Sequence, residues 1–334
     1  MAYIIIDREK YFYNLSQLAL KSGSKNTLAI VLKDNAYGHG LELMAQLASE
    51  YGIKEAVVIS YYEAITISKY FDRVLVLNDI PKYDTKCSFA ISNIELLENI
   101  ETNIQIELKV DTGMHRNGII KSDLQRAVDI IKRRKLNLIG VFTHYRSADI
   151  LSSEFAWQQT IFKEVKSFIV DSGFKNIRFH SYNSAALLRS NSFDEDIARV
   201  GIATYGYNEL PDIYKKIDLK PVLSLMAKKI NSRFLKKGSR IGYGGEYTTP
   251  KDMIISTYDI GYGDGLRRGN PINPLILPNG KSILGRVSMD FISVESTQNE
   301  ICIIDNALNV ANHYGTISYE ILTALSPNLP RYIK

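Results

Sequence analysis

The sequence predicts an α/β chain: a (β/α)8 TIM-like barrel over residues 1–219, followed by a smaller, mainly antiparallel β domain over 220–334. Three observations carry this. Between residues 27 and 205, eight β-rich runs, nearly continuous in apolar residues, alternate with stretches of helical period. That is the pattern of parallel strands buried on both faces. Eight such units in about 200 residues match a barrel, with a doubly wound open sheet as the alternative. From Lys220-Pro221 onward the rhythm becomes short alternating runs broken by glycine pairs and a Pro-Asn-Gly turn. Those are hairpin signals.

In chain order the runs are TLAIVLK (27–33), EAVVIS (55–60), RVLVLN (73–78), CSFAIS (87–92), IQIELKV (104–110), LIGVFTH (138–144), NIRFHSY (176–182) and EDIARVG (195–201). Leu41, Met44, Leu47, Ala48 and Tyr51 fall on one helical face, and residues 154–170 form another helical stretch. In the second half, PVLSLMAKKI, GSRIGYGGEY, MIISTYDIGYGDG, LPNGKSILGRVSMDFISVES and EICIID supply the antiparallel strands.

Composition narrows the function classes. With 45% hydrophobic and 23% charged residues, the 334-residue chain is that of a globular protein. The net charge of +5 favours small anionic ligands. No dense basic stripe interleaved with aromatics points to nucleic acid. The run Lys132-Arg133-Arg134-Lys135 reads as a helix end, where cations complement the dipole. Cys87 and Cys302 lack metal-ligand spacing and read as reduced, buried thiols. No apolar run approaches a membrane span, and a cytoplasmic protein is expected.

Chemistry in a barrel sits at the carboxyl ends of its strands. Here those ends carry Lys33, Lys109 with Asp111, His144, Asn183 with Ser184, and Arg199 with Gly201. The loops after strands seven and eight often hold phosphate, and Asn183, Ser184 and Gly201 suit that task. A lysine across the mouth from a bound phosphate fits covalent attachment of pyridoxal phosphate. A class I aldolase would present similar residues. His39 and His180 read as structural hydrogen-bonders.

The segment KDNAYGHG (33–40) resembles the cofactor-lysine segment of the alanine racemase family, the fold type III pyridoxal-phosphate enzymes. Further segments match in the family's order: KVDTGMHRNG (109–118), THYRSAD (143–149), HSYNSAA (180–186), RVGIATYG (199–206), IGYGGEY (241–247), IGYGDGLRR (260–268), GRVSMD (285–290), and ISYEILT with LPRYI (317–333). The resemblance covers nearly the whole chain. It implies pyridoxal 5'-phosphate as cofactor, a homodimer with shared active sites, and interconversion of L- and D-alanine, which would supply D-alanine for peptidoglycan. Serine or broad-spectrum racemisation is the alternative, and a barrel-type decarboxylase using the same cofactor is a more distant one.

Residue by residue, the resemblance makes Lys33 the Schiff-base lysine and one of two catalytic bases, with Tyr243 of the partner subunit as the other. Tyr37, Asn183, Ser184, Gly201, Ile202 and Tyr319 fall in the cofactor-binding group. Arg199 would face the pyridine nitrogen, and His144 would link that arginine to the tyrosine. Arg116, the Met289 backbone of the partner subunit and Tyr262 would meet the substrate. Lys109 matches a lysine often carboxylated in the family. The departures are small: Gly242 stands where many relatives carry serine, and Tyr145 and Tyr182 occupy positions often smaller or different.

Overall fold

The computed structural model describes residues 1–214 and 217–334. The strands are β1 (Tyr3–Ile6), β2 (Leu28–Val31), β3 (Glu55–Val58), β4 (Arg73–Val76), β5 (Cys87–Ile91), β6 (Gln105–Asp111), β7 (Ile119–Ile120), β8 (Asn137–Phe142), β9 (Arg178–His180) and β10 (Ala198–Val200). After them come β11 (Leu223–Leu235), β12 (Arg240–Ile241), β13 (Tyr247–Thr248), β14 (Met253–Tyr258), β15 (Ile292–Val294), β16 (Glu300–Ile304) and β17 (Arg331–Ile333). The chain divides into two compact units. One holds residues 12–36 and 41–220, the other residues 1–11, 37–40 and 221–334.

The first unit is the barrel. Its parallel strands run in the order β10-β2-β3-β4-β5-β6-β8-β9. Two backbone bonds bring β9 to β10: Arg199 N–H donates to Tyr182 C=O at 2.9 Å, and Asp196 N–H to Phe179 C=O at 3.2 Å. Each of the eight barrel runs contains one of these strands or overlaps all but one residue of it. Leu28, Ala29, Ile30 and Val31 are all buried, as expected of a strand enclosed on both faces. Helices at Leu41–Tyr51, Leu124–Arg134 and Glu154–Asp171 are among those wrapping the outside, and Lys132, Arg133 and Arg134 do occupy a last helical turn. Cys87 is buried and Cys302 half-buried, both as free thiols.

The second unit is built on β11, which pairs antiparallel with β1 and β16 over its first half and with β14 over its second. β17 joins β1 in parallel, and β15 extends the sheet beyond β14. The N-terminal strand therefore belongs to this sheet and not to the barrel. Its apolar residues Ile4 and Ile6 are fully buried there. Among the described residues, no helix is long and apolar enough to cross a membrane.

Candidate active site

In the barrel unit the chain leaves β2 and turns immediately. Lys33 is followed by Asp34, Asn35, Ala36 and Tyr37 with φ of 55°, 56°, 51° and 52°. Left-handed backbone costs an L-residue roughly 1–2 kcal/mol, and four in succession need outside support. Glu63 gives it: one carboxylate oxygen accepts from Asp34 N–H at 2.9 Å, the other from Ile59 N–H at 2.9 Å. Asn35 Oδ1 accepts from Leu41 N–H at 2.9 Å, closing the turn on the next helix. The Lys33 amine lies 3.3 Å from Asp34 Oδ2 and its side chain is 34% exposed, so it is held yet reachable.

The other strand ends gather cations around one imidazole. Burial first, and then the charges of Arg199, Arg116, Lys109 and Lys33, pull His144 down to about 3. It is therefore neutral near pH 7, in a field that favours anions. Lys109 is brought down to about 8 by burial, then by Arg116 and Arg199, and its amine donates to Asn117. Arg116 is exposed in the loop after β6.

The loops after β9 and β10 form an oxygen-and-amide cradle. Asn183 caps the helix Ser184–Arg189 by accepting from Ala186 N–H at 2.9 Å, and donates to Tyr145 C=O at 3.2 Å. Ser184 Oγ accepts from Gly201 N–H at 3.0 Å and Ala203 N–H at 3.4 Å. Ile202, 4% exposed, lies between those two donors. No acceptor among the described residues takes its N–H. Buried amides normally find partners, so this cluster fits a phosphate.

Beneath the mouth lies a buried polar network in which His180 is the structural hydrogen-bonder the sequence suggested, while Glu107, Arg178 and Ser88 had not stood out. Glu107 accepts from Ser88 Oγ and His180 Nε2, each at 2.6 Å, and from Arg178. Arg178 also pairs with Glu55. Arg199 donates to His180 Nδ1, to His180 C=O at 2.8 Å and to Thr143 C=O at 2.6 Å. The arginine thus gives these hydrogen bonds to His180 and Thr143, and acts on His144 through its charge. Burial lowers Arg199 to about 10, which leaves it cationic near neutrality. One signal was legible: strand side chains alternate, so Glu107 and Lys109 share a face of β6, as Arg178 and His180 do on β9.

In the second unit, the rings of Tyr37 and Tyr319 lie 5.7 Å apart between centroids. Arg331 donates to Gly38 C=O from Nε at 3.1 Å and Nη2 at 2.8 Å, tying the tyrosine-bearing segment to the LPRYI motif. Elsewhere Tyr243, 68% exposed, stands beside a cavity of about 340 Å³ lined by Gly242, Arg286, Ser288, Phe291 and Ser293. Gly242 has φ 71° and ψ −169°, a conformation nearly confined to glycine. Tyr262 N–H donates to Ser288 C=O at 3.0 Å and Gly263 N–H to Met289 C=O at 2.9 Å, so the Tyr262 and Met289 loops are stitched together.

A cation-lined barrel mouth with a lysine past its first strand, accompanied by an antiparallel unit that displays tyrosines, is the architecture of two-part, barrel-based amino-acid racemases. Comparison with known proteins makes the class specific. Residues 6–209 match the family model described as alanine racemase, N-terminal domain, and residues 222–333 the one described as alanine racemase, C-terminal domain. The chain is 46% identical to the alanine racemase of a Nitratiruptor species, covering 99% of each chain. It is 43% identical to that of Campylobacter jejuni subsp. jejuni serotype O:2, covering 100% of each. Among solved structures, alanine racemase from Bacillus anthracis with bound L-Ala-P superposes with a TM-score of 0.90 at 28% identity, covering 100% of this chain and 95% of that one. The chain belongs to the alanine racemase family.

Proposed function

We propose that the protein interconverts L- and D-alanine with pyridoxal 5'-phosphate. The observation that carries this is the convergence of Lys33, Lys109, Arg116 and Arg199 on a neutral His144, a field suited to a phosphorylated cofactor and a carboxylate substrate together. When bound, the cofactor supplies an electron sink that makes the α C–H bond of an amino acid acidic. Lys33 would hold it covalently. Ser184, Gly201, Ile202 and the Tyr37–Tyr319 pair would hold its phosphate, with Asn183 shaping the cradle and Arg199 facing its ring nitrogen. Arg116 and, from the second copy, the Met289 backbone would hold the substrate carboxylate, with Tyr262 also meeting the substrate.

Racemisation needs a proton carrier on each side of the α carbon, because a single group tends to return the proton to the face it left. The Lys33 amine serves one side. The Tyr243 phenol of a second copy serves the other, in a homodimer with shared sites. The exposure of Tyr243, Tyr262, Met289 and Phe291 on adjacent loops supports that role, since clustered exposed apolar surface marks an interface. With its proton affinity lowered to about 8, Lys109 offers the neutral amine that carboxylation requires. The product, an anion, would hold Arg116 by charge-assisted bonds.

A chiral assay with added cofactor, run on alanine, serine and a wider panel, tests the reading. Loss of optical activity from L-alanine without carbon dioxide release is expected. Faster turnover of serine would move the substrate assignment, and carbon dioxide release would replace racemisation with decarboxylation. Tyr243→Phe is expected to slow the L-to-D direction by about 10²–10⁴-fold, the range for a lost acid–base group. Lys33→Ala is expected to abolish both activity and the visible absorbance of the loaded enzyme. Mixing the two inactive chains would restore activity, since one site of a mixed dimer is intact. Mixed dimers without recovery would end the shared-site reading.

A further inference from the structure

We propose that Glu107 and His180 form a buried positioning pair that fixes the aim of Arg199. This rests on the placement of Arg199 against the cofactor ring proposed above and deepens it by one layer of the barrel.

The argument is one of donors and acceptors. A guanidinium has only donors, so the nitrogen of His180 that faces Arg199 Nη1, namely Nδ1, must present a lone pair. The single proton of the neutral ring then sits on Nε2, which lies 2.6 Å from Glu107 Oε2. A carboxylate only accepts, so both neighbours demand the same tautomer. Burial, then the charge of Arg199, pulls His180 down to about 3, so the ring stays neutral. Burial alone would raise Glu107, but Arg178 and the His180 bond hold it well below the usual carboxylate range.

The surroundings leave the pair little freedom. His180 stacks on Phe142 at 4.9 Å with 7° between the rings, and both His180 and Glu107 are wholly buried. A Cβ at position 140 would lie 2.6 Å from Glu107 Oε2, so Gly140 is what makes room for the carboxylate. Without the negative charge of Glu107, only Arg199 still favours a proton on Nε2, and a population of His180 protonated on Nδ1 becomes accessible. In that population donor would face donor, and Arg199 would lose its bond to the ring while keeping those to the His180 and Thr143 carbonyls, so its aim would loosen.

The test reads the tautomer directly, in cofactor-free protein with ring-¹⁵N histidine at pH 7. Wild-type His180, assigned by its loss in His180→Gln, is expected to carry its proton on Nε2 alone. A proton on Nδ1, or a charged ring, overturns the proposal without any further variant. In Glu107→Gln, a population protonated at Nδ1 is expected. In the loaded enzyme the same change is expected to lower kcat about 10–100-fold while KM moves less than about 3-fold, by analogy with the loss when the carboxylate behind a metal-bound histidine is removed. The double variant Glu107→Gln/Arg178→Gln removes the buried Glu107–Arg178 ion pair as a unit, guards against misfolding of the single one, and should show the same tautomer shift. An unchanged tautomer overturns the proposal, as does a shifted tautomer with unchanged kcat. If the wild-type enzyme racemises nothing, the proposed function fails, while the tautomer in cofactor-free protein still decides whether the pair exists.

Discussion

In the barrel unit, Glu107 and His180 are wholly buried and bonded to Ser88, Arg178 and Arg199, whereas in the second unit Tyr243 is 68% exposed, with Met289 and Phe291 open nearby. The first region holds its polar groups in place before any ligand arrives. Each buried charge there needs a partner, because an unpaired ion in low dielectric is costly, and the partners in turn fix the geometry. The second region presents an apolar, aromatic surface shaped by glycine backbone and by loop-to-loop bonds. One region supplies precision, the other supplies groups that await something to act on.

The contrast can be broken from the barrel side first. Arg178→Leu would leave the buried Glu107 without its cation, while Glu55 keeps Arg73, at a cost of about 3–5 kcal/mol for an uncompensated buried charge. Calorimetry should show a fall in Tm on the order of 10 °C. A shift near zero would mean that the barrel interior tolerates the loose ion and is not the rigid partner in this comparison.

Acid gives a smaller effect with a definite sign. His180 takes up its proton near 3 when folded but near 6.5 when unfolded, so the unfolded chain binds protons first as pH falls. Stability is therefore complete above about 6.5 and declines toward 3, with His180 alone contributing a loss of about 2 kcal/mol between pH 6.5 and 5. Glu107, held below the usual range, adds its own loss only at lower pH, once unfolded carboxylates begin to protonate. Denaturant titrations at several pH values would read the slope, and His180→Gln should flatten it. A slope that survives that substitution belongs to other groups.

The smallest effect sharpens the other side. Tyr243→Phe should change stability by no more than about 0.5 kcal/mol, as for an exposed position, even though activity falls. A loss well above that would make the tyrosine a structural residue of its unit and weaken its assignment as a proton carrier.

The strands were legible because burial on both faces demands uninterrupted apolar runs: TLAIVLK contains Leu28–Val31, and IQIELKV overlaps Gln105–Asp111. The strand-end residues were legible for a related reason, since a polar side chain ending such a run points at the barrel mouth. The left-handed turn after Lys33 was not. Asp and Asn tolerate that backbone, but Ala36 and Tyr37 do not favour it, and the carboxylate that helps hold it comes from Glu63, on another helix. The partners of Glu107 were equally hidden, because Ser88 comes from the neighbouring strand β5 and Arg178 from β9, beyond β8, and they meet it only once the strands pair in this order.

By itself, then, the order of residues determined which segments become strands, where they stop, and which reactive side chains stand at their ends. Those are local matters of hydrophobic period and turn chemistry. The tertiary structure alone decided that β1 leaves the barrel for the second sheet, that Arg199 answers to His180, and that a carboxylate sits beneath the site. Each of those depends on groups far apart in the chain meeting in a dry interior, where an unpaired donor or charge is too costly to leave alone.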